Sequence, residues 1–179
     1  MRIVSYLVIA AAACGGASSE EVRAAKDASY SLPPPEMFRV AMQGANVAYK
    51  IDPRLVDVNR CAFATARRYY SATGDLESPG AGGYTMIEAG SIGVSFVVQI
   101  VPAASGGGLQ VNVTPDTLQV VSGSPQPRKL RPDDPYLPPW VLGRADQLAI
   151  EIHQRLDSAP GQNAPSGDWR ANGLTCTQG

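Results

Sequence analysis

Apolar and polar residues alternate with a helical period in the first part of this chain, switch to a strand period in the middle, and return to a helical one near the end. Across residues 36–51, Met37, Val40, Ala41, Ala45, Ala48 and Tyr49 recur at helical spacing, although Gly44 interrupts the pattern. Asp52 as a cap with Pro53 at the first helical position then predicts a second helix, with Leu55, Val58, Ala62, Ala66 and Tyr69 on one face and an end near Thr73-Gly74. Beyond the glycine-rich residues 78–83 every even position from Ile92 to Ile100 is apolar, the clearest strand signal in the chain.

The segment around that strand predicts hairpins. Residues 84–88 precede it across Ala89-Gly90, a spacing that places Ile87 opposite Ile92 and Thr85 opposite Val94. Residues 109–114 and 117–121 pair if Pro115-Asp116 is a turn, with Val113 opposite Leu118 and Val111 opposite Val120; Pro-Asp is a poor two-residue turn, so one bulged strand is the alternative. Residues 122–139 are rich in proline and charge and have no period. In the last helix Val141, Ala145, Leu148, Ala149, Ile152 and Leu156 form a continuous apolar stripe, with Arg144, Asp146, Glu151 and Arg155 outside it. An antiparallel sheet with one apolar face needs a cover, and amphipathic helices supply it. The expected fold is therefore α+β: a meander of three to four antiparallel strands covered on one face by two or three helices, in a single domain over residues 36–179.

The N-terminal residues read differently. Arg2 followed by an uncharged apolar run over residues 3–13 has the two-part form of a secretory signal, and the run is about half of the ~20 residues a spanning helix needs. At its end Ala11-Ala12-Ala13-Cys14, followed by Gly15-Gly16, resembles the lipobox of bacterial lipoproteins, departing from it at Ala11, where leucine is usual. The resemblance implies loss of residues 1–13 and a diacylglycerol on the Cys14 thiol. With Gly15 rather than aspartate next, it also implies an anchor in the outer membrane, facing the periplasm. Ordinary signal cleavage at the alanine-rich end is the alternative. Residues 14–35 are small and polar and close with Pro33-Pro34-Pro35; as a flexible tether they span roughly 25 Å.

With Cys14 committed to lipid, Cys61 and Cys176 remain from three cysteines, and an exported chain meets conditions in which they bond. The other reading is a buried Cys61 and a free Cys176. Removal of Arg2 with the signal lowers the basic count from 15 to 14 against 16 acidic side chains, a formal charge of −2. No basic run exceeds Arg67-Arg68, so the clustered positive field that nucleic acid requires is absent from the sequence. The 44% apolar composition is that of a globular domain.

Candidate chemistry is sparse. The single histidine, His153, lies beside the apolar stripe of the last helix, without ligands at zinc spacing or a G-x-S-x-G elbow elsewhere. Asp133-Asp134 lacks the alternating oxygen ligands of a calcium loop, and no Lys-Ser/Thr follows Gly106-Gly107-Gly108 to make a phosphate loop. Neither a metal nor a cofactor nor a catalytic set is expected. Arg67, Arg68 and Tyr70, with Tyr69 between them, form the one cluster of residue types favoured at interfaces, and residues 84–88 or 117–121 are expected to be sheet edges able to accept another chain. The function expected from these features is a non-catalytic accessory or assembly role, membrane-anchored and bound to another envelope protein. A carrier of a lipid or small apolar ligand, with Gly83 and Gly93 allowing close approach, and a hydrolytic enzyme are the alternatives.

Overall fold

A computed structural model of the chain describes residues 17–77, 87–104, 107–160 and 175–176. Residues 1–13, expected as a signal, and Cys14 lie outside these. The order of elements is α1 (Ser19–Asp27), α2 (Pro34–Ala48), β1 (Ile51–Asp57), β2 (Ala62–Thr65), β3 (Arg68–Tyr70), β4 (Ile92–Pro102), β5 (Leu109–Gln119), β6 (Arg128–Leu130) and α3 (Pro139–Asp157). The fold is α+β, as expected. One antiparallel sheet runs in the order β1-β2-β4-β5-β6, with β3 beside β2 along the same edge of β4, so it holds six strands rather than three or four.

The sheet is built on one long hairpin. Strand β4 pairs with β5 from Ile92↔Gln119 to Pro102↔Leu109, an unbroken register. Pro115-Asp116 is therefore not a turn: Pro115 sits opposite Phe96 inside a continuous strand. Proline is tolerated there because β6 pairs only with Thr117–Gln119, leaving the other side of β5 at Pro115 without a strand among the described residues. Val113 and Leu118 accordingly face Val98 and Gly93 rather than one another. A turn does form at Ala89-Gly90, closed by the Ser91 N–H donating to the Glu88 carbonyl at 3.1 Å, but it does not make the expected hairpin. Ile92 and Val94 pair with Tyr70 and Arg68 of β3 on one side and with Gln119 and Thr117 of β5 on the other, which leaves no side of β4 there for residues 84–88. Most of the strand expected before it, residues 84–86, and also Gly83, lie outside the described residues.

The helix expected from Pro53 to Gly74 is instead β1, a turn, β2 and β3. Its apolar positions do match a helical period, but Leu55 is 54% and Val58 37% exposed. The alternation that governs is Phe63 and Thr65 inward, Ala62 and Ala64 outward. Asp52 caps no helix; it closes a local turn by accepting from the Arg54 N–H at 3.0 Å. Pro53 sits in an edge strand whose register is irregular between Ile51 and Val56. The turn from β1 to β2 is held by Asp57, which accepts from the backbone of Asn59 and Arg60. Cys61 there takes φ = +50°, an unusual conformation for a residue with a Cβ.

Helices α2 and α3 cross the apolar face of the sheet. The predicted stripe of α3 is buried throughout, and Met37, Phe38, Val40, Ala41 and Ala45 of α2 are buried against it and the sheet. Phe38 meets Phe63 edge-on at 5.7 Å, and Tyr49 meets Phe96 at 4.9 Å. Gly44, which weakened the helical pattern, is the point where the two helices approach: a Cβ there would lie 3.1 Å from the Ile152 backbone.

Part of the segment expected as a flexible tether is also structured. Ser18 and Glu21 form a reciprocal capping box for α1, with the Ser18 N–H donating to Glu21 at 2.8 Å and the Glu21 N–H to Ser18 Oγ at 3.2 Å. A helix of 9 residues is marginal alone. It is docked through Ala25 against Ala149 and Ile150, and through Lys26 to Asp146 at 2.7 Å. Beyond it Tyr30 exchanges two backbone hydrogen bonds with Leu109, both 2.8 Å.

Cys61 and Cys176 are bonded, 115 residues apart, and the Cys176 N–H donates to the Val58 carbonyl at 2.8 Å. Cys176→Ser is expected to lower stability by about 5 kcal/mol, the chain-entropy value for a loop of this size, read as a lower denaturation midpoint that reductant reproduces in the parent protein. A second outcome concerns α1. The backbone and side-chain hydrogen bonds of Ser18 hold the Glu21 carboxyl below its ordinary value of 4.5. A depressed carboxylate stabilises above the unfolded pKa and loses that contribution as pH falls through the folded one. Amide exchange in α1 is therefore expected to accelerate below about pH 4.5 ahead of exchange in β4 and β5.

Candidate functional site

The cluster singled out in the sequence does not form one surface. Because it lies on a strand, its side chains alternate between faces. Tyr70 is 2% exposed and belongs to the core; its ring tilts against Trp140 at 5.3 Å, beneath the Arg144 guanidinium at 4.4 Å. Arg68 turns to the helix side, donating to the Ala48 carbonyl at 3.4 Å and stacking 5.3 Å from the Tyr49 ring. Burial and the neighbouring Tyr70 raise the Tyr49 hydroxyl pKa, while Arg144 and Arg68 oppose the rise. Tyr69 lies on the opposite face, over Gly93, where a Cβ would come within 2.8 Å of its ring. The glycine makes room for the protein's own tyrosine.

Arg67 shares the solvent face of the sheet with Tyr69, and of the cluster it alone lines the concavity there. That face is concave, a trough of about 1220 Å³ between β1 and β6. Its floor is made by Ala62 and Ala64, outward on β2, by Ala66 just beyond that strand, and by Val97, outward on β4 and 37% exposed. Leu55 adds an apolar side chain from β1.

Charges frame this floor in two groups. On the β1 side Arg54 pairs with Asp52 at 3.0 Å and Arg60 with Asp57 at 3.7 Å. The Arg54 side chain, and after it its backbone N–H, lower the Asp52 pKa, and Asp52 in turn raises that of Arg54. On the β5–β6 side Asp116 receives both Arg67 and Lys129, the latter at 3.1 Å, while Arg67 also donates to the buried Ser95 hydroxyl at 3.3 Å. Arg131 completes the wall. The β1 side is balanced; the β5–β6 side carries three cations against one carboxylate. Apart from Arg67, these residues escaped sequence reasoning because they come from separate segments, and because residues 51–70 read as a helix.

The other candidates sit elsewhere. His153 Nδ1 lies 2.7 Å from the Tyr30 hydroxyl on the helix side of the sheet, where burial and the nearby charge of Asp157 raise the tyrosine pKa well above its ordinary value. Asp134 is engaged by Arg128 at 2.8 Å and by the Tyr136 N–H, and no group of acidic, histidine or cysteine residues suited to a metal occurs among the described residues. Residues 117–119 are not a sheet edge, since β4 and β6 flank them. Among the described residues the outer strands are β1 and the three-residue β6, which carries Lys129, while β3 pairs with β4 alone among the strands. Gly106 lies outside the described residues.

Comparison of the chain with protein-family models, with curated proteins and with solved structures gives no match.

Asp116 is the hinge of the wall. Asp116→Asn is expected to cost about 1 kcal/mol, chiefly through the partly buried Arg67, whereas Lys129→Ala is expected to cost under about 0.5 kcal/mol because its side chain is 73% exposed. Urea denaturation of the two variants checks the order.

Proposed function

We propose that this chain is an exported envelope protein, anchored through Cys14, which receives another envelope protein in the concave face of its sheet. The observation that carries the reading is the trough itself: an apolar floor left uncovered on a sheet whose other face is fully packed, rimmed by charged side chains. Apolar centre and polar rim are the anatomy of a docking surface. The Cys61–Cys176 bond supports an oxidising compartment, which accords with the signal-like residues 1–13. The lipobox resemblance supplies the anchor.

A carrier reading asks for room between sheet and helices. That space is filled by Met37, Phe38, Phe63, Phe96, Leu148 and Ile152, so support goes to a surface role. Catalysis through His153 finds no support in its pairing with Tyr30 on the opposite side of the sheet from the trough.

A photo-reactive residue at Val97, on the trough floor, tests the proposal in intact cells against the same residue at Val47, which is 63% exposed on α2. The expected result is one protein adduct from position 97 in the membrane fraction, weak or none from position 47, and release of the adduct into the soluble envelope fraction with Cys14→Ser. No adduct from position 97, or equal adducts from both, overturns the docking site.

A further inference from the structure

Resting on that reading, we infer that the segment received by the trough is acidic, and that Arg67, Lys129 and Arg131 are the groups that recognise it. The chain as a whole is slightly acidic, with a formal net charge of −1, yet the trough is lined by five cations, Arg54, Arg60, Arg67, Lys129 and Arg131, and three carboxylates, Asp52, Asp57 and Asp116. The local balance is +2, opposite in sign to the chain.

The excess is also localised. Arg54 and Arg60 each have a carboxylate of their own, within two or three residues. Arg67 and Lys129 share Asp116, and Arg131 has no carboxylate within ion-pair distance among the described residues. Two positive charges therefore stand uncompensated along one wall, beside an apolar floor. A wall of fixed cations over a low-dielectric surface attracts anions and orients them. Arg67 is the fixed point, since the Ser95 hydroxyl and Asp116 both hold its guanidinium, while Lys129 and Arg131 are exposed and adaptable.

The floor decides which anion. Ala62, Ala66, Val97 and Leu55 present aliphatic surface; stacking of nucleobases calls for aromatic side chains, and Phe63 among the lining residues faces the core. Aliphatic side chains alternating with carboxylates satisfy floor and wall together. That pattern belongs to a strand or helix of an acidic protein segment.

The test uses the disulfide-bonded protein, labelled for amide NMR, with a short peptide alternating Glu and Leu, its counterpart with Gln for Glu, inorganic phosphate, and phosphatidylglycerol vesicles. The expected result is shifts confined to β2, β4, β5 and β6 with the Glu peptide only, weakened at least about tenfold in the double variant Lys129→Glu, Arg131→Glu, whose core resonances stay in place. Equal binding of the Gln peptide, insensitivity to the double variant, or equal shifts with phosphate or vesicles overturns the inference. The segment cross-linked from position 97, sequenced by mass spectrometry, separates the two levels. An acidic segment supports the inference; a neutral or basic one removes it and leaves the docking site standing; no adduct removes both.

Discussion

The unbroken pairing of β4 with β5 is the constraint on which the rest of the molecule depends. Because side chains on a strand alternate with a period of two, one register places Ile92, Val94, Phe96, Val98 and Ile100 together with Val111 and Val113 on one face, and Ser95, Val97, Thr114 and Asp116 on the other. A slip of one residue would send the core set to solvent. The first face has to be covered, and α1, α2 and α3 cover it. The second becomes the floor and wall of the trough.

Two kinds of fastening hold the remaining elements to that hairpin. On the helix side they are aromatic and cationic: Trp140 donates to the Ala72 carbonyl at 3.0 Å, and Arg144 donates to Gly74 at 2.7 Å while lying over both Tyr70 and Trp140. Gly74 takes φ = +96° beneath the indole, a conformation and a closeness that together require glycine. At the far edge the fastening is covalent. Cys176 ties the C-terminal region to the β1–β2 turn, which is also held by the Asn59 and Arg60 N–H groups donating to the Asp57 carboxylate and by the Ile100 N–H donating to the Cys61 carbonyl. The edge of the sheet that frames the trough is thereby held by a bond to a distant part of the chain.

The concave face concentrates charge of the opposite sign to the chain without any basic run in the sequence. Arg67, Lys129 and Arg131 come from the link between β2 and β3, from β6 and from the residue after it. They converge because β4 and β5 hold those segments side by side. The same convergence leaves one carboxylate, Asp116, shared between two cations, and so sets the sign of that wall.

Where burial repeats at the period of the local element, the sequence alone determined the structure. The stripe of α3, the even positions of β4 and most of α2 were legible for that reason, as was the sum of these elements, an antiparallel sheet roofed by helices. The capping box Ser18-Ser19-Glu20-Glu21 was equally legible and announces α1 inside an apparent tether. Only the tertiary structure decided the rest. Residues 51–70 satisfy a helical period and a strand period at once, and pairing with β4 selects the strand because Phe63 and Thr65 then meet Phe96 and Val98. Pro115 has the local look of a turn, but a partner strand on one side and none on the other makes a straight strand possible. The trough is a property of neighbours distant in sequence, and no local pattern encodes which residues a sheet will set side by side.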